Sequence, residues 1–194
     1  MAESEKDVKE AILNAAANVF AKYGYIKTTM NDIAATVKKG KSSLYHYFPG
    51  KEQVFQAVLD KEFGAIKSEV EEAISKENTP QKKLSVFIST RMYALHNRAN
   101  FYSALKDEFM EHFTFIEKFR ETYDQIEQNT IKNLLVQGIN EGTFGIKDVD
   151  TTAFGIFFAM KGIEYSWIVA IDAAQKEKIL SNMLEILFYG INKR

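Results

Sequence analysis

Apolar residues recur at helical spacing along almost the whole chain, and only Pro49 and Pro80 remove a backbone N–H from it. Val8, Ala11, Ile12, Ala15, Val19, Phe20 and Tyr23 fall at i, i+3, i+4, i+7, i+11, i+12 and i+15, one stripe of a first helix that Gly24 is suited to cap. Phe55, Leu59, Phe63, Ile66, Val70 and Ile74 repeat the pattern between about Lys51 and Ser75. Thr79-Pro80 opens a helix to about Asn97, Asn100 one from Phe101 to Phe113, and Ile116 to Leu134 mark another that ends near Gly138 to Gly142. Asp150 is read as the N-cap of a helix over about Thr151–Ile171, and a last helix covers about Ala174–Asn192. No segment alternates as a half-buried strand does, and ten glycines with two prolines are too few for the turns of an all-β chain. The expectation is an all-α protein of about nine helices, in which 194 residues, 46% of them apolar, suffice for a sizeable core.

Several function classes drop out. There is no cysteine, which excludes disulfide scaffolds, thiolate zinc sites, iron–sulfur clusters and thiol catalysis. The highly charged start, from Glu3 to Glu10, does not read as a signal peptide, and the uncharged stretch Thr151–Met160 is well short of the ~18 residues of a membrane span. A soluble, cytoplasmic protein is expected. The chain lacks a G-x-S-x-G elbow, a phosphate-binding loop, a dinucleotide glycine fingerprint and an H-E-x-x-H pair, so no enzyme and no cofactor are expected. Glu108, Glu111 and His112 share one predicted helix, but two acids and a histidine on a helix read as a solvated face rather than a metal site.

Charge is distributed unevenly. The whole chain carries −1, yet between residues 22 and 51 Lys22, Lys27, Lys38, Lys39, Lys41 and Lys51 face the single acid Asp32. A basic segment ahead of a mildly acidic body suits one region that meets a polyanion. Within that segment Thr29-Met-Asn-Asp32 has capping-box spacing, with Ile33, Ala34 and Val37 inward on a short helix. Lys38-Lys39-Gly40 is a tight break, and a third helix from Lys41 to Phe48 turns Leu44 and Phe48 inward before Pro49-Gly50 stops it. Two short helices across a three-residue turn, braced by longer ones, make a helix-turn-helix whose second helix enters the DNA major groove. Its outward face holds Lys41, Ser42, Ser43, Tyr45 and His46, and Asn31 reaches from the helix before. No arginine precedes Arg91, so guanine reading by a guanidinium is ruled out in this segment.

Thr28-Thr-Met-Asn-Asp-Ile-Ala34 followed by Gly40-Lys-Ser-Ser-Leu-Tyr-His-Tyr-Phe-Pro-Gly-Lys51 resembles the DNA-binding signature of the TetR family of bacterial repressors. The likeness is dense over residues 8–60 and thin beyond. It implies a DNA-binding domain over residues 1–50 and an effector-binding and dimerisation domain over 51–194. It also implies phosphate contacts from Thr29, Tyr47 and Lys51. The chain departs from the family's usual Gly-Val-Ser at the turn: Lys38 stands where a left-handed glycine is favoured, at a cost of ~1 kcal/mol.

The resemblance further implies a small-molecule cavity in the aromatic-rich stretch from Phe87 to Tyr123. Phe87, Arg91, Tyr93, Phe101, Tyr102, Phe109 and Tyr123 are its candidate wall, and an apolar effector would release a palindromic operator. The last two helices carry apolar stripes beyond the needs of one core. Phe154, Phe158, Tyr165 and Ile168 on one, with Ile179, Met183, Ile186 and Gly190 on the other, predict a homodimer through a four-helix bundle. Its two-fold axis asks for an inverted repeat with recognition helices ~34–36 Å apart. The other reading is a helical assembly module whose basic segment meets a different anionic partner. The Lys-Ser-Ser-x-Tyr-His face favours DNA, since a membrane-surface helix would set large apolar residues against a continuous lysine face.

Overall fold

The computed structural model describes residues 4–38, 40–98, 113–169 and 171–190. Among them lie eight helices and no strand: α1 Glu5–Lys27, α2 Met30–Thr36, α3 Lys41–Tyr47, α4 Lys51–Ser75, α5 Pro80–Asn97, α6 Phe113–Asn140, α7 Val149–Val169 and α8 Ala173–Tyr189. The helix expected over Phe101–Phe113 lies almost wholly outside the described residues, as do Glu108, Glu111 and His112. No helix among the described residues is long and apolar enough to cross a membrane. Packing divides the chain into two compact units, Met1–Ala65 with Arg98–Arg120, and Ile66–Asn97 with Glu121–Arg194.

In the first unit, Ser4 caps α1 by accepting the Asp7 N–H, and the Asp7 carboxylate answers the Ser4 N–H. Of the expected stripe Val8, Ile12, Ala15, Val19 and Phe20 are buried, Ala11 is half-buried and Tyr23 is half exposed. Gly24 ends the first and longer helical run of α1, as its position suggests. It takes φ 78°, a left-handed value that glycine reaches freely, and α1 resumes through Lys27 beyond this kink. Ile33 and Ala34 of α2, Leu44 of α3 and Phe48 are buried as the spacing predicts, as are Phe20, Val54, Phe55 and Val58, while Val37 is half-buried. Phe20 meets Phe55 edge-on at 5.2 Å, and Tyr25 lies 4.6 Å from the same ring.

In the second unit, α5 packs on α7 and α8. Leu84, Phe87, Ile88, Met92 and Leu95 meet a core that includes Ile131, Leu135, Phe157 and Trp167, whose indole N–H donates to the Met92 carbonyl at 2.9 Å. Asp148 rather than Asp150 caps α7, accepting the Thr151 N–H at 3.0 Å and the Thr151 hydroxyl at 2.7 Å. Asp150 is instead drawn into an ion pair with Lys132 at 2.5 Å. The turn after α6 closes on Gly138, whose carbonyl accepts the N–H groups of Thr143 and Phe144. A Cβ at Gly138 would lie 2.0 Å from the Phe144 ring, so the ring's seat requires glycine.

Candidate nucleic-acid interface

The entry to α2 is built by Thr29 and Asp32. The Thr29 hydroxyl accepts the Asp32 N–H at 3.3 Å and donates to Asp32 Oδ2 at 2.6 Å, while the Thr29 N–H donates to the same oxygen at 2.8 Å. Hydrogen bonds from the Thr29 hydroxyl and backbone hold the Asp32 carboxyl below its ordinary value. Thr29 therefore spends its hydroxyl proton inside the protein, on the cap of α2. Asn31 stands exposed beside it.

The turn is as tight as its spacing implies. Val37 donates to the Ile33 carbonyl and Lys38 to that of Ala35, and Lys38 sits at φ 54°, the one non-glycine left-handed residue among those described. Lys39 lies outside the described residues. Gly40 caps α3 through its backbone alone, its carbonyl accepting from Ser43 and Leu44.

With Leu44 and Phe48 buried, the seven-residue α3 has one outward face, on which Lys41, Ser42, Tyr45 and His46 are exposed and Ser43 and Tyr47 half-buried. Lys41 Nζ lies 5.8 Å above the Tyr45 ring, and the His46 ring meets Tyr47 edge-on at 5.3 Å. A cation, hydroxyls, a phenol and an imidazole on one short convex helix match the donor and acceptor groups of base edges. Lys51 behaves differently from its expected phosphate role. Its ammonium donates to the carbonyls of Tyr25 at 2.8 Å and Ile26 at 3.1 Å and lies 4.4 Å over the Tyr25 ring.

The expected effector wall is only partly open to a ligand. Phe87 is core, and Arg91 is 1% exposed, its Nε on Glu127 Oε1 at 2.9 Å and its Nη2 on Glu164 Oε2 at 2.8 Å. Both side chains lie in the interior; helical periodicity marks an inward face but not whether a void adjoins it. Tyr93 is half-buried against Trp167 at 5.7 Å, Tyr123 is half-buried, and Phe101, Tyr102 and Phe109 lie outside the described residues. Two cavities open elsewhere in this unit. One of about 420 Å³ is bordered by Gln81, Leu84, Phe144, Ile156, Phe188 and Tyr189. The other, about 230 Å³, is wholly apolar and bordered by Ile88, Ile156, Met160, Met183, Leu184 and Ile186.

On the last two helices, Phe154, Phe158 and Ile186 are each about half exposed, and the Phe154 and Phe158 rings pair at 4.3 Å. Ile179 and Met183 are half-buried. Tyr165 and Ile168 fall on α7 with side chains outside those described. Gly190 ends α8 at φ 73°, its N–H on the Ile186 carbonyl. Sequence reasoning missed the tie made by Lys51 and the carboxylates that neutralise Arg91, because both depend on partners at least 25 residues away.

Residues 12–58 match the family model described as bacterial regulatory proteins, tetR family. The fatty acid metabolism regulator protein of Bacillus subtilis is 23% identical over 94% of this chain and 95% of its own. Among solved structures, a TetR-family regulator from Syntrophomonas wolfei aligns with a TM-score of 0.81 at 20% identity, over 97% of this chain and 98% of that one. The regulator FadR from Bacillus subtilis, in complex with stearoyl-CoA, aligns at 0.76 and 23% identity, over 94% and 99%. At such identities the shared fold is what these structures establish, and the helix-turn-helix match carries the rest. The helix-turn-helix segment, residues 12–58, is that of the tetR family of bacterial regulatory proteins.

Proposed function

We propose that this protein is a homodimeric transcriptional repressor that holds an inverted-repeat operator until a long-chain acyl thioester, of the acyl-CoA class, occupies its second unit. The observation that carries the DNA reading is the exposed Lys41, Ser42, Tyr45 and His46 face on a helix anchored by buried Leu44 and Phe48. Residues 1–50 form the DNA-binding part in this reading, with Asn31 and Ser43 as further base contacts and Tyr47 on phosphate. Residues 51–194 supply the effector site and the dimer face.

The acyl class is carried over from the Bacillus subtilis regulators, one named for fatty acid metabolism and one in complex with stearoyl-CoA. It agrees with an interior rich in apolar and aromatic side chains, in which half-buried Tyr93 and Tyr123 are candidate wall residues. The exposed Phe154, Phe158 and Ile186 suit burial against a two-fold mate. An effector shifts the DNA equilibrium only by the difference in its affinity for the two states, typically ~1–3 kcal/mol.

The test is fluorescence anisotropy on a duplex that the protein selects from a random library, followed by titration with stearoyl-CoA. Binding that weakens steeply with salt, an inverted repeat in the selected sequence, and release by stearoyl-CoA but not by free CoA are the expected results. Failure to select any duplex would end the DNA reading; selection without release would end the acyl reading alone. Sedimentation of a 22.2 kDa particle at micromolar concentration would refute the dimer.

A further inference from the structure

Lys51 stands at the first position of α4, directly after the Pro49-Gly50 turn that follows the recognition helix. Its ammonium reaches back 26 and 25 residues to the carbonyls of Tyr25 and Ile26. Those carbonyls belong to the last turn of α1, beyond the Gly24 kink, where the helix leaves its acceptors without intrahelical donors. A cation there also meets the negative end of the helix dipole and, in this case, the face of the Tyr25 ring. The chain between the two contact points carries the buried Thr28, whose hydroxyl donates to the Gly24 carbonyl at 2.6 Å, and then the Thr29–Asp32 cap. After these come α2, the turn and α3. One ammonium therefore closes the base of the whole helix-turn-helix segment.

A second tie lies farther along α4. Lys61 bonds Glu10 and Asn14 of α1, the latter at 2.8 Å. Ten residues separate the two lysines on α4, and their partners run in the opposite sense along α1. The two helices are thus antiparallel and pinned at two levels, with Phe20, Tyr25 and Phe55 packed between the pins.

We infer that Lys51 is a positioning residue that staples the exit of the recognition helix to the entry of the helix-turn-helix, and that it serves DNA reading through this geometry rather than by neutralising a phosphate. The inference rests on the DNA-binding reading above. Phosphate charge is left to exposed cations such as Lys38 and Lys41. Loosening the staple lets α3 shift against α1, which harms contacts that need exact placement, those to base edges, more than contacts to a uniform backbone.

The experiment compares wild type, Lys51→Gln, Lys51→Met and Lys51→Arg on a duplex selected by the wild-type protein and on an unrelated duplex, each across a salt series. Glutamine keeps an N–H donor for the carbonyls and loses the charge; arginine keeps both. For Lys51→Met the staple predicts about a tenfold loss on the selected duplex and about twofold or less on the unrelated one, with the salt slope of wild type. Lys51→Arg restores selected-duplex binding to within about threefold of wild type. Amide hydrogen exchange at Thr28 to Asp32 is faster in the methionine variant and slow again in the arginine one. Equal weakening on both duplexes, with a salt slope shallower by about 0.9, would assign Lys51 to a phosphate and overturn the inference. Lys51→Met that reads both duplexes as wild type does would overturn it too. If Lys51→Met fails to fold, Lys51→Gln decides: a wild-type slope upholds the staple, a slope lowered by about 0.9 rejects it. Wild-type protein that selects no duplex at all would instead sink the DNA reading itself.

Discussion

Lys38 is the place where the recognition turn departs from what an L-residue prefers, and the departure can be weighed. At φ 54° its Cβ crowds its own carbonyl, a strain of ~1–2 kcal/mol in the left-handed region. Glycine removes that strain but loses ~0.4–1 kcal/mol more backbone entropy on folding. The side chain is exposed, so no burial is forfeited. The net for Lys38→Gly is a stabilisation of about 0.5–1 kcal/mol, whereas Lys38→Ala keeps the Cβ and gains nothing. Both remove the same positive charge, so the difference between them isolates the backbone. Thermal unfolding followed by circular dichroism should place the glycine variant about 2–4 °C above the alanine one per kcal/mol of difference. Indole fluorescence is the wrong probe, because the single tryptophan, Trp167, belongs to the second unit. On DNA the two variants should share one salt slope, shallower than wild type by about 0.9 if Lys38 touches a phosphate. Equal melting temperatures for glycine and alanine would refute the strain argument.

Other outcomes follow from the same geometry. Tyr45→Ala and His46→Ala should each weaken a selected duplex by about 1–3 kcal/mol and relax its base preference, read by competition against single-base variants; unchanged preference would move the reading face elsewhere. Gly138→Ala, which sets a Cβ 2.0 Å from the Phe144 ring, should destabilise by about 1–2 kcal/mol in urea. In a Phe144→Ala background the same change should stabilise by about 1 kcal/mol, and a failure of the sign to reverse counts against the seat. His96 is held below its ordinary 6.5 by burial and then by the charge of Lys176, 2.9 Å from its Nδ1. The folded state therefore favours neutral His96. Its contribution is present above pH 6.5 and is lost as pH falls from there toward the depressed value; a melting curve against pH should flatten in this window in His96→Asn.

Much of the architecture was legible because it is written locally. Thr29 with Asp32, Thr79 with Pro80, and Pro49 with Gly50 are short-range signals, and the helices they delimit start or stop where those residues stand. The outward face of α3 was legible for a related reason: on a seven-residue helix, burying Leu44 and Phe48 leaves only one way for Lys41, Tyr45 and His46 to point. What failed needed tertiary partners. Asp148 and Asp150 are equal candidates for a cap until Lys132 claims one of them. Arg91 falls on an inward stripe and reads as a polar wall residue until Glu127 and Glu164 arrive from 36 and 73 residues away. Lys51 reads as a free cation at a helix start, and only the folded path of α1 supplies its carbonyls.

The Arg91, Glu127 and Glu164 group also bears on how this sequence can drift. Its side chains are 1%, 15% and 7% exposed, so each charge lives on its neighbours rather than on water. Replacing Arg91 strands both carboxylates at about 3–5 kcal/mol, comparable with the whole margin of a small domain, whereas exchanging a buried ionic set together for apolar residues of like volume is often neutral or better. A lineage that changes one codon at a time therefore leaves the triad through a glutamate and not through Arg91. Arg91 is thereby the member that cannot change alone, since either glutamate suffices to balance it.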